Sequence, residues 1–152
     1  MPKEPGVKLI AKNRKALFDY EVVDAVEAGL VLRGTEVKSL RDGKMQFADS
    51  FASAENGELW LHRAHIAEYT QGNVYNHEPT RSRKLLLHRH QIERLASRSA
   101  EKGLTLIPLE VYFKDGRAKV KLGLCRGKAK HDKRASIRER DEKRALARAR
   151  DD

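Results

Sequence analysis

Between Ala25 and Leu124 apolar residues recur mostly at every second position, the period of strands that bury one face. Residues 25–33 (AVEAGLVLR) read as a strand in which Gly29 marks a bulge. Residues 45–54 alternate around Phe47 and Phe51 and lead into Asn56-Gly57, a dipeptide that favours a two-residue hairpin turn. Residues 58–66 (ELWLHRAHI) are the return strand. Residues 104–113 (LTLIPLEVYF) are β-rich, and Pro108 within them calls for an edge or a bulge. Asp115-Gly116 gives a second hairpin turn. Residues 118–124 then return with Ala118, Val120, Leu122 and Leu124 on one face, Lys119 and Lys121 on the other.

Two stretches have helical character. Residues 13–20 suffice for a turn or two. Residues 82–102 carry a stripe of Leu85, Ile92, Leu95, Ala96 and Ser99, closed by Gly103 at a C-cap position. Leu85, Leu86 and Leu87 cannot all face one core. Either this helix starts near His88, or Leu86 packs on something outside the fold.

Strands, one helix and a closing hairpin give a mainly β reading. The architecture expected is a small closed antiparallel barrel of the oligonucleotide-binding type, which removes sheet edges. No internal repeat is visible.

Charge sharpens the picture. The 152 residues include 32 Lys and Arg against 22 Asp and Glu, a net charge of +10. A polyanionic partner, nucleic acid before membrane, follows from that balance. Half of the excess lies in residues 126–152, which hold eleven basic and six acidic residues. Ile137 and Leu146 are their only sizeable aliphatics, too little apolar surface to offset chain entropy. Three regions follow: a disordered start at 1–8, a folded body at 9–125, and a basic tail at 126–152 that is disordered when free. Ser136 and Glu139 form a capping box before a run to Arg150 without Gly or Pro, so the tail is poised to become helical on a partner. The first residues are charged and Pro-rich, and no apolar run approaches the ~20 residues of a membrane span. One cysteine excludes an intrachain disulfide. The expectation is a cytoplasmic monomer with no membrane partner.

Candidates for chemistry fail one by one. His131-Asp132 lies in a segment that cannot shape a dry site. On a strand His62 and His65 point to opposite faces, and His88 and His90 do not share a helix face, so no metal site is expected. Cys125 reads as an ordinary strand-end thiol. No phosphate-binding glycine loop is present. The chain reads as a binding protein without cofactor, not as an enzyme. Its basic groups are Asn13-Arg14-Lys15, then Arg81, Arg83 and Lys84, then Lys119 and Lys121, and the tail.

Read in order, several collinear segments resemble the SsrA-binding (small protein B) family. They are Asn13-Arg14-Lys15-Ala16 with Tyr20, residues 27–30 (EAGL), 34–41 (GTEVKSLR), 79–87 (PTRSRKLLL), 119–123 (KVKLG) and 127–134 (GKAKHDKR). Gly43-Lys44 and Asp49-Ser50 add to the likeness. The resemblance implies a barrel with about three peripheral helices and an unstructured C-terminal tail. It implies a protein that binds the tRNA-like part of transfer-messenger RNA (tmRNA) and brings it to ribosomes stalled on truncated messages, in trans-translation. Glu27, Leu86 and His88 match the family's RNA-contact positions. Many members carry Asn where this chain has His88; imidazole keeps a donor and adds stacking. The expected tmRNA-contact set adds Asn13, Arg14, Lys15, Arg81, Arg83, Lys84, Lys119 and Lys121. The resemblance also implies that Lys128, Lys130, His131, Asp132, Lys133, Arg134, Ile137 and Arg138 meet small-subunit rRNA of the 70S ribosome. That tail is expected to form a helix in the empty mRNA channel near the decoding centre. The chain departs from the pattern by ending Arg150-Asp151-Asp152. The alternative reading is a general basic single-strand RNA binder or ribosomal protein of the same barrel type.

Overall fold

The computed structural model describes residues 6–70, 76–101, 103–128, 137–138 and 140–145. Two hairpins frame it. β4 (Phe51–Glu55) and β5 (Glu58–His62) join through Asn56 and Gly57, β8 (Leu104–Lys114) and β9 (Arg117–Gly127) through Asp115 and Gly116. All four turn residues have positive φ, as the sequence predicts for turns that match strand twist.

β1 (Val7–Lys12), β2 (Tyr20–Leu30) and β7 (Arg83–Leu86) complete the main antiparallel sheet, ordered β1-β8-β4-β5-β7-β2-β9, with β8 and β9 also paired. A two-stranded sheet joins β3 (Met45–Gln46) to β6 (His65–Ile66). Inward-facing Leu59, Leu61, Leu85, Leu106, Val120, Leu122 and Leu124 fill the core with Leu40 and Leu95. A second cluster packs Ala16, Ile107, Leu109 and Cys125 beneath α1 (Arg14–Asp19). The fold is thus mainly β with a few helices.

Several elements differ from the sequence reading. The helix expected over 82–102 is two elements, β7 and α3 (Arg89–Ser99). Arg83 and Leu85 point inward and pair with β5, so the backbone stays extended until His88, whose N–H is capped by Gln91 Oε1 at 3.0 Å. Of the alternatives for the leucine triplet, the late helix start holds, and Leu86 is left 54% exposed. The strand expected over 45–54 breaks where Ala48 turns to φ 48° and Ser50 N–H bonds Phe47 C=O. The strand over 58–66 breaks at Arg63, φ 64°. Pro108 sits at a bulge: the β8–β9 register shifts between Pro108 and Glu110. Gly29 does not bulge; the β2–β9 shift lies between Val22 and Asp24. Gly29 instead permits a close approach, since a Cβ there would meet Leu86 Cβ at 3.1 Å.

α2 (Gly34–Arg41) covers the 34–41 motif, where Val37 and Leu40 are too few to make an apolar stripe that periodicity would show. Glu36 caps its start by accepting from Arg33 N–H at 2.7 Å. Lys38 and Arg41 complement its C-terminal dipole. The ordered edges also lie outside the expected 9–125. Val7 and Lys8 pair with Lys114 and Phe113, and Tyr20 and Glu21 pair with Gly127 and Arg126. In the tail, residues 137–138 and 140–145 are helical and exposed.

Candidate nucleic-acid interface

Alternation along three adjacent strands builds the site. On β7, Arg83 and Leu85 face the core, which leaves Lys84 and Leu86 outside. On β2, Ala28 and Leu30 face inward, leaving Glu27 and Gly29 on the opposite face. On β9, Val120 and Leu122 face inward, leaving Lys119 and Lys121. Register then sets Gly29 opposite both Leu86 and Lys119, and Glu27 opposite Lys121. The start of α3 adds His88 and Gln91. The result is an open groove of about 380 Å³ lined by Glu27, Gly29, Leu86, His88, Gln91 and Lys119, with Leu87 beside them. Four expected contact residues meet there, drawn from three distant parts of the chain.

The Glu27 carboxylate is held in place. Tyr112 O–H donates to Oε2 at 2.6 Å, and Lys114 Nζ lies 3.6 Å from the same oxygen. Sequence alone does not tie Tyr112 to Glu27, 85 positions away. Its real task could be found from alternation along β8, which puts Glu110, Tyr112 and Lys114 on the face shared with Lys119 and Lys121. The His88 and His90 rings stack at 5.7 Å with 8° between planes. Lys84 lies two residues from Leu86 on the same face, paired with Glu58 at 3.1 Å.

Other expected contact residues go elsewhere. Arg83 is wholly buried, donating to Glu36, to Ala64 C=O at 2.7 Å and to Pro79 C=O at 2.9 Å. Arg81 also turns to Glu36 through Nε at 3.0 Å and through its terminal nitrogen. Asn13 is buried; it caps α1 by accepting from Ala16 N–H and donates to Pro108 C=O at 2.9 Å. These three are structural positions, since their polar atoms face protein partners. Arg14 and Lys15 are exposed at the start of α1, which Asn13 ties to Leu109 C=O on β8; neither lines the groove.

Of the tail set, Lys128 anchors the root: its N–H bonds Asp19 C=O at 3.0 Å and its Nζ bonds Leu17 C=O at 3.2 Å. Ile137 and Arg138 are exposed in the helical stretch. Lys130, His131, Asp132, Lys133 and Arg134 lie outside the described residues. Arg140 stands 5.8 Å from the Phe18 ring centroid.

Nothing among the described residues gathers three or more His, Cys, Asp or Glu side chains around a metal position. Cys125 is buried, and that burial pushes its thiol up to about 11, the state of an inert core sulfur. His62 bonds Ser53 Oγ at 2.9 Å and Ser82 Oγ at 2.7 Å on the outer sheet face. No described helix is long and apolar enough to cross a membrane.

A mostly antiparallel sheet protein with net charge +10 and a lysine-bordered groove of mixed polarity belongs to the class that binds nucleic acid by surface complementarity. The chain belongs to the SmpB family: the family model described as SmpB protein matches residues 10–152. A relative named SsrA-binding protein from Frankia casuarinae is 54% identical over 149 residues, covering 98% of this chain and 94% of that protein. One of the same name from Desulforudis audaxviator is 56% identical, covering 98% and 97%. A solved structure described as "tmRNA-SmpB: a journey to the center of the bacterial ribosome" is 50% identical with TM-score 0.69, covering 84% of this chain and 94% of that one.

Proposed function

We propose that this chain binds the tRNA-like part of tmRNA and serves trans-translation on the ribosome. The observation that carries the site is the groove: Glu27, Leu86, His88 and Lys119 converge there from β2, β7, the α3 start and β9. The SsrA-binding name of its relatives and the tmRNA–ribosome subject of the solved structure support the partners.

Each groove residue has a physical task. Exposed Leu86 covers an unstacked base, stabilising the complex on the order of 1 kcal/mol by burial. His88 stacks or donates. Glu27, oriented by Tyr112 and offset in charge by Lys114, accepts from a 2′-hydroxyl or a base amino group. Lys119 and Lys121 meet phosphates, each adding to the salt dependence of binding. Lys84 extends the same basic edge along β7.

The pairings run β8–β4–β5–β7–β2–β9 and return to β8. We read that ring as a closed barrel of the oligonucleotide-binding type, which leaves no long edge to compete for RNA. The body grips RNA in the cytoplasm, and the tail senses an mRNA channel without a message. A message would fill the same space, so selectivity is steric and electrostatic, and no chemical step is needed.

The test is Glu27→Ala, Leu86→Ala and His88→Ala combined. These exposed positions leave the thermal midpoint unchanged, while tmRNA affinity falls about tenfold or more. Unchanged affinity removes the groove from the interface.

A further inference from the structure

A second pocket, of about 350 Å³, opens at the far end of β2, between α1 and the loop before β4. Its volume is at the lower end of the about 300–1,000 Å³ typical of small-ligand sites. Lys15, Tyr20, Asp49, Phe51 and Thr105 border it, and Ser50 lies among them. None of the groove residues contributes.

We propose that this pocket receives one unstacked guanine of an RNA partner. Tyr20 offers a surface on which any base stacks, and Phe51, flanked on its other side by Arg63 at 5.7 Å and by His62, supplies an aromatic edge to the pocket. Selectivity comes from Asp49. Its carboxylate is exposed on the pocket rim and makes no hydrogen bond or ion pair among the described residues. A carboxylate only accepts, and it offers two parallel oxygens. Guanine alone among the four bases presents two adjacent donors, N1–H and N2–H, to such a pair; adenine and cytosine set an acceptor beside their donor. Lys15, exposed at the rim, is placed for the adjoining phosphate.

Two features of the loop fit a site held ready. Ala48 keeps φ at 48°, a left-handed conformation that costs energy in a residue other than glycine. Ser50 Oγ is buried without a partner among the described residues. A rotamer that turns it toward the pocket lets it bond a base seated there.

The position selects which RNA is near. Asp19 lines this pocket, and its C=O accepts from Lys128 N–H, where the tail leaves the body. The guanine therefore belongs to RNA that runs beside the tail root, not to the segment in the Leu86 groove. Only this assignment of source rests on the proposed function; the pocket chemistry stands apart from it.

The test titrates the full-length protein with 5′-GMP, AMP, CMP and inorganic phosphate, reading amide chemical shifts. GMP is expected to move Lys15, Tyr20 and the 48–51 loop saturably, with AMP and CMP weaker and phosphate limited to Lys15. Asp49→Asn lowers GMP affinity about tenfold, the loss of a charge-assisted pair of bonds. Leu86→Ala leaves the GMP response intact, which separates this site from the groove. Equal shifts with AMP, shifts reproduced by phosphate alone, or no response in the 48–51 loop overturn the proposal. Photo-cross-linking of the 48–51 loop, run separately with tmRNA and with small ribosomal subunits, identifies the source. A guanine in either RNA supports the assignment, and a cross-link to neither overturns it.

Discussion

Glu36 and Arg83 form a fully buried ion pair, Oε2 to Nε 2.5 Å, with neither side chain exposed. Arg81 and the Arg33 N–H close the rest of the carboxylate. One acidic residue at the start of α2 thereby ties that helix to the chain entering β7. Removing Glu36 leaves the Arg83 charge buried without a counter-ion, which costs about 3–5 kcal/mol. Glu36→Leu is expected to lose that much in urea unfolding, a large share of a domain's ~5–15 kcal/mol. Breaking the exposed Arg89–Glu93 pair on α3 costs only about 0.3–0.5 kcal/mol.

The same pair sets a pH dependence. Burial pushes the Glu36 carboxyl up, but the hydrogen bonds from Arg81, Arg33 N–H and Arg83 outweigh it and hold the group below its ordinary 4.5. The folded state therefore binds this proton more weakly than the unfolded chain does. The stabilisation is complete above about 4.5 and is lost as pH falls through the lower folded value. Thermal midpoints measured from pH 7 to pH 3 should drop on the acid side. Glu36→Gln should be less stable at pH 7 and should lose part of that acid slope. An identical slope in the variant removes Glu36 as its source.

Gly29 makes a sharper test of the groove than any charge removal. A Cβ at this position meets Leu86 Cβ at 3.1 Å and projects into the site. Leu86 Cβ moves only with the β7 backbone, but a shift of a few tenths of an ångström at this exposed end of the strand relieves the contact, so Gly29→Ala should fold. Displacing Leu86 should weaken tmRNA binding several-fold, read by filter binding beside a circular-dichroism melt. Gly123→Ala is the control with the opposite outcome. Its Cβ would lie 2.6 Å from Leu109 Cδ1 in packed core, so it should cost about 1–3 kcal/mol of stability.

Strand periodicity and turn dipeptides made most of the sheet legible. Asn56-Gly57 and Asp115-Gly116 sit in the turns expected of them, and Lys119 and Lys121 face outward as alternation requires. Local pattern misled at residues 82–87, where helix-forming residues are held extended by pairing with β5 and by the buried Arg83 pair. No window of sequence shows that Glu36 lies opposite Arg83, 47 positions away. For the same reason Arg81, Arg83 and Asn13 looked like surface groups: a basic or polar residue read alone carries no mark of its buried partner. Glu27, Leu86 and His88 were found through the family resemblance; their meeting in space follows from strand register.

Truncation separates body from tail. The cut belongs after Lys128, because β9 runs to Gly127 and Lys128 binds the C-terminal carbonyls of α1. The shortened protein should keep most of its tmRNA affinity and fail to support tagging in a reconstituted stalled-ribosome reaction. Normal tagging defeats the division of labour.

Competition between tmRNA and an unrelated folded RNA of equal length, at matched salt, tests the central claim most directly. Selective binding through a shaped groove predicts a preference of at least about a hundredfold for tmRNA, lost when Glu27, Leu86 and His88 become alanine. Equal affinity for both RNAs, with the same salt slope, would contradict it and leave only a general basic surface.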